Sequence, residues 1–81
     1  MTQFRILIPS VAAVRNFVNA ATLCPVDIDV TSGRYTVDAK SIMGLFSLDL
    51  ERPINVTVYG TAEDGAIFKE SISELILTED D

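Results

Sequence analysis

Ser41 is the residue best placed for chemistry, at the head of the stretch Asp38-Ala39-Lys40-Ser41-Ile42-Met43-Gly44-Leu45-Phe46-Ser47-Leu48. A serine at the start of a helix stands beside unpaired backbone N–H groups and the positive end of the helix dipole, a setting that accommodates phosphate. A phosphate there would add about −1.5 to −2 charges and change a docking surface without melting the helix. The same hydroxyl can also serve as a plain N-cap, stabilising by about 1 kcal/mol. In the turns that follow, Ile42 and Phe46 fall four residues apart on one helical face, with Met43 adjacent. A short helix with apolar residues on nearly every side cannot bury them all, so an apolar surface patch is one outcome and a fully buried helix the other.

The remaining side chains exclude more than they offer. The chain has no histidine, which removes imidazole metal ligation and every Ser-His-Asp or Cys-His arrangement. Cys24 is the sole cysteine, so no internal disulfide or cysteine-cluster metal site is available. Beside Pro25 it reads as a small packing residue. Asp27 and Asp29 share a strand face and, with Asp38, read as a solvated sheet surface. Gly33, Gly44, Gly60 and Gly65 do not form a phosphate-cradling loop. No enzyme site is expected, and no metal or cofactor.

These residues sit in a chain of 81, with twelve Asp and Glu against six Lys and Arg and a net charge of −6. That balance argues against nucleic acid or an anionic membrane as partner, since both need a basic face. Apolar residues make up 48%, enough for the packed interior of one domain spanning residues 1–81. No run approaches the roughly 18 apolar residues of a membrane span. No basic region precedes a long apolar stretch, so no signal peptide is expected and the cytoplasm is the simplest location.

The elements that must position Ser41 follow from periodicity. Phe4–Ile8 reads as a strand stopped by Pro9. Ser10 then caps a helix running to about Thr22, with Val11, Val14, Val18 and Ala21 as its apolar stripe and Phe17 beside them. Val26–Val30 alternates as a strand, Thr31-Ser32-Gly33-Arg34 supplies a hairpin turn, and Tyr35–Asp38 returns. The Ser41 helix ends near Leu48, and Pro53 closes the polar connection after it. Ile54–Tyr59 is the fourth strand. The last helix runs from Ala62 or Glu63 to Leu77, burying Phe68, Ile72, Leu75 and Ile76, with Glu63 and Asp64 favouring its dipole. The acidic end Glu79-Asp80-Asp81 is expected to fray. The order β-α-β-β-α-β-α, with alternating strands, predicts an α+β open-faced β-sandwich: a four-stranded antiparallel sheet covered on one face by three helices.

The segment Lys40-Ser41-Ile42-Met43-Gly44-Leu45, followed by Ser47-Leu48, resembles the regulatory-serine segment of HPr. HPr is the small phosphocarrier of the bacterial sugar phosphotransferase system, and the likeness is to its low-GC Gram-positive members. Phe17-Val18, Val30-Thr31-Ser32-Gly33 and the spacing from Phe17 to Lys40 extend the likeness, as does the element order. The resemblance implies that Ser41 is the target of an ATP-dependent kinase. It also implies that Ile42, Met43 and Phe46 form an exposed patch that docks partner proteins, with Leu45 and Leu48 on the buried side.

The chain departs from the family where the carrier chemistry lies. HPr holds a Gly-rich approach, a phosphorylatable histidine and an arginine two residues on. Here the loop reads Ile8-Pro9-Ser10-Val11-Ala12-Ala13 and looks shortened. Held to the spacing from Phe17, Ser10 falls at the histidine position and Ala12 at the arginine position. A phosphorylated imidazole passes its phosphoryl group on readily, whereas a phosphoserine is a stable ester and a poor donor. Ala12 also removes the guanidinium that would balance phosphate charge. The expected function is therefore a non-catalytic regulatory or binding relative. Lys40, Ser41, Ile42, Met43 and Phe46 form its contact surface for a serine kinase, a transcriptional regulator or phosphotransferase-system enzymes. The alternatives are a divergent phosphocarrier using another residue and a structural or oligomer-forming module that keeps only the fold. The sequence does not set the oligomeric state.

Overall fold

The computed structural model describes residues 1–77. In chain order the elements are β1 (Thr2–Ile6), α1 (Val11–Leu23), β2 (Ile28–Ser32), β3 (Tyr35–Asp38), α2 (Ile42–Phe46), β4 (Ile54–Val58) and α3 (Ala62–Ser71), followed by a 3-10 turn at Ser73–Leu75. The four strands form one antiparallel sheet in the order β1-β4-β2-β3. Registry aligns Phe4, Val56, Val30 and Val37 across all four strands. These residues line the helix-covered face, where Val30 and Val56 are fully buried. The next rows, Arg5-Asn55-Thr31-Thr36 and Gln3-Thr57-Asp29-Asp38, turn to the other face. Alternation thus assigns one apolar and one wet face, as the sequence predicts.

Strand ends shift from their expected places because pairing with β4 decides them. β1 runs Thr2–Ile6 rather than Phe4–Ile8, since its partners extend from Val58 to Ile54 and Pro53 lies just beyond. Ile8 stays buried outside the strand. β2 takes in Thr31 and Ser32, which leaves only Gly33-Arg34 for the turn. Gly33 has φ of +60° and no other described residue has positive φ, the pattern of a two-residue type II′ hairpin.

Helix starts follow their caps. Ser10 Oγ accepts from Ala13 N at 3.1 Å, and Thr61 and Asp64 form a reciprocal capping box on α3. Val14, Phe17 and Ala21 of α1 are buried, and Phe17 meets Phe68 of α3 edge-on at a centroid distance of 5.6 Å. Val11, expected in that buried stripe, is instead exposed, because it occupies the first turn beyond the core.

Two helix ends also differ from expectation. α2 stops at Phe46 rather than near Leu48. The Ser47 backbone N–H donates to the Gly44 and Leu45 carbonyls, and its hydroxyl donates to the Gly44 carbonyl at 2.6 Å, ending the ladder. α3 ends at Ser71, not Leu77. The chain after it turns to lie along β1: Leu7 N donates to Leu75 O, Leu77 N donates to Arg5 O, and Ile76 bridges Ile6. Phe68 and Ile72 are buried as expected, while Leu75 and Ile76 reach the core from this non-α segment only half-buried. The expected fraying of Glu79-Asp80-Asp81 lies outside the described residues.

Candidate functional site

The approach to Ser41 is held from three directions. Ala39 is fully buried and its N–H donates to Ile28 O, pinning the chain to β2. Asp38 turns the backbone: its Oδ1 accepts from Lys40 N at 2.9 Å and its carbonyl accepts from Ser41 N at 3.0 Å. Lys40 Nζ reaches back sixteen residues to donate to Cys24 O at 3.1 Å, at the C-terminal cap of α1. A cation there also suits the negative end of that helix.

Ser41 itself is half-buried and extended, with φ −107° and ψ 109°. Its Oγ accepts from Gly44 N at 3.0 Å, so the residue is the N-cap of α2. The glycine at 44 matters to this packing. A Cβ there would stand 3.1 Å from Val37 Cβ and 3.2 Å from Ser41 Oγ, tighter than ordinary contact. Gly44 thereby lets the serine hydroxyl and the edge strand close on the same turn.

α2 divides its apolar residues sharply. Leu45 is fully buried and Leu48 nearly so, whereas Met43 is 77% exposed, Phe46 46% and Ile42 36%. Phe46 is three residues from Met43 and four from Ile42, so the three share a helical surface. Val11, 59% exposed, extends this surface. It lines an open pocket of about 390 Å³ with Ser10, Val14, Phe46, Leu50 and Glu51, among others. Val11, Leu50 and Glu51 are not among the sequence-predicted site residues. The available signal was Val11's place directly after the Ser10 cap, ahead of the first buried turn.

The structure therefore brings Ser10 to Phe46, at the C-terminal end of α2, while Ser41 caps its N-terminal end. Ser10's hydroxyl is engaged with Ala13 N and its surroundings in the pocket are aliphatic and aromatic, with Glu51 as the charged lining residue. Ala12 is exposed and places no charge there. Lys40 holds the loop to α1 through Cys24. Asp27, Asp29 and Asp38 line one depression together with Tyr59. The Tyr59 hydroxyl is raised above its ordinary range by desolvation, then by its hydrogen bond to Asp29 and that carboxylate's charge. Among the described residues no group of His, Cys, Asp and Glu could hold a metal ion, and no helix is long and apolar enough to cross a membrane.

Three helices over a β1-β4-β2-β3 antiparallel sheet, with a capped serine heading a short apolar helix, define the open-faced sandwich of HPr-type proteins. Residues 11–77 match the family described as PTS HPr component phosphorylation site, and the chain belongs to that HPr family. It is similar to the crystal structure of HPr-C-His from Thermoanaerobacter tengcongensis, at 28% identity over 94% of this chain and 91% of that one, with a TM-score of 0.74. It is also similar to the phosphocarrier protein HPr from Bacillus anthracis str. Ames, at 26% identity over 91% of this chain and 95% of that one, with a TM-score of 0.67. No curated protein matches the chain. The family match begins at Val11, immediately after Ser10.

Proposed function

We propose that this chain is a non-catalytic member of the HPr family, a single cytoplasmic domain that acts by docking rather than by passing on a phosphoryl group. Ser41 and the Ile42, Met43 and Phe46 surface are its contact site, with Lys40 fixing the loop that presents them. Its partners are proteins: a serine kinase, a transcriptional regulator, or phosphotransferase-system enzymes for which it competes. The observation that carries this reading is Met43, 77% exposed on a helix whose neighbouring Leu45 is fully buried. A large apolar side chain kept in water beside a well-formed core favours a surface meant to be covered.

The absence of histidine supports the other half. Ser10 offers an oxygen nucleophile, whose phosphate ester is too stable to be a ready donor. Ser41 can carry a stable ester as a signal. Phosphorylation converts its Oγ into a poor acceptor, so a phosphate oxygen must take over the Gly44 N–H for α2 to persist. The test combines the purified protein with HPr serine kinase and ATP, reads intact mass, and measures binding to HPr partners by calorimetry. Gain of one phosphoryl group that is lost in Ser41→Ala supports the regulatory reading. An unmodified mass together with no partner binding refutes it.

A further inference from the structure

A second groove lies on the far side of α1, between that helix and α3. Its wide end is a pocket of about 200 Å³ between Leu23 and Ile67, floored by Phe68 and flanked by Cys24 and Pro25. Leu23 is 86% exposed, more than any other large apolar residue described, and Ile67 is 58% exposed. They come from different helices and face the same depression. The groove continues toward Ala13 and Asn16, with Ser71 shared by both parts.

The spacing along both walls is helical. On α1 the lining residues are Ala13, Asn16, Ala20 and Leu23, and on α3 they are Asp64, Ile67 and Ser71 around the Phe68 floor. Both series step by three and four, so each helix offers a ridge and the small residues between them leave room for a third helix.

Charge says which helix. Glu63 and Glu70 lie four and three residues from Ile67 on the same side of α3, and Asp64 lines the pocket. Of the nearby cations, Lys69 stands over the Phe4 ring at 5.3 Å and the Lys40 ammonium is taken up by its bond to the Cys24 carbonyl. A second copy of this chain, with its net charge of −6, would bring carboxylates onto carboxylates.

We propose that the α1/α3 groove is a docking site for a basic amphipathic helix of a partner protein. Apolar side chains of that helix occupy the space between Leu23 and Ile67, and its flanking cations meet Glu63 and Glu70. The site is separate from the Ser41 surface and does not depend on it.

The probe is a synthetic helix of about 18 residues, five turns, with leucines on one face and lysines on the other. It is titrated into isotope-labelled protein and followed by NMR. Shifts should centre on Ala20, Leu23, Ile67 and Ser71 and disappear in the Leu23→Asp, Ile67→Asp double variant. The Glu63→Lys, Glu70→Lys variant should bind this peptide about tenfold more weakly and gain affinity for the glutamate version. That second variant leaves the apolar residues in place, so it decides the matter if the first folds poorly. Shifts centred on Met43 and Phe46, binding indifferent to the charge swap, or no shifts at all would each overturn the proposal.

Discussion

Replacing Ser41 by alanine isolates the interaction on which the site is built. The hydroxyl accepts from Gly44 N at 3.0 Å and is half-buried, so its loss strands a donor that water reaches only in part. N-cap serines are worth about 0.5–2 kcal/mol. Here α2 spans five residues, Ile42–Phe46, and so has little other local support. The effect should fall near the middle of that range or above, about 1–1.5 kcal/mol. For a chain of this size that lowers Tm by about 5–10 °C. Thermal unfolding followed by circular dichroism reads it directly. Ser10→Ala supplies the comparison: its bond to Ala13 N is 3.1 Å and exposed, so the drop should be smaller. Ser41→Asn restores a neutral acceptor and should recover most of the loss. A Ser41→Ala protein as stable as the original, or no recovery by asparagine, would refute the capping argument. It would also remove the reason for expecting a phosphate at Ser41 to inherit the Gly44 N–H.

Other outcomes follow from the same geometry. Met43→Ala should leave stability nearly unchanged while weakening binding to a partner that covers α2 by about tenfold, from the apolar area left exposed. Leu45→Ala should do the reverse, lowering unfolding free energy by about 2–5 kcal/mol in urea titrations without a comparable loss of affinity in the folded fraction. Lys40→Met removes the ammonium from Cys24 O while keeping much of the stem, and should cost about 1 kcal/mol in the same titration.

The caps carried the most legible information. Ser10 and Ser41 each precede an apolar run, and each accepts from the N–H three residues on. The alternation in Ile28–Val30 and Ile54–Val58 fixed which sheet face is buried, because a one-residue slip would turn every side chain over. Leu45 and Leu48 were separable from Ile42, Met43 and Phe46 through the family resemblance, since periodicity alone allowed all five to be core. What escaped the sequence depends on contacts distant along the chain. β1 begins at Thr2 because Val58 is there to pair with it. α3 stops at Ser71 although Leu75 and Ile76 continue a helical stripe, because backbone bonds to Arg5 and Leu7 satisfy the chain in another conformation. The tie from Lys40 to Cys24 crosses sixteen residues and has no local signature. Val11 fits the stripe by number but stands past the end of the core.

Phosphoryl relay is the sharpest point of division between the proposed docking role and a carrier role. The decisive measurement incubates the protein with labelled phosphoenolpyruvate, the first enzyme of the phosphotransferase system and a sugar-specific acceptor enzyme, with an ordinary histidine-bearing HPr in parallel. A docking protein without imidazole leaves the acceptor unlabelled while the ordinary HPr labels it. Label passed to the acceptor through this chain would contradict the account and assign the carrier role to another side chain.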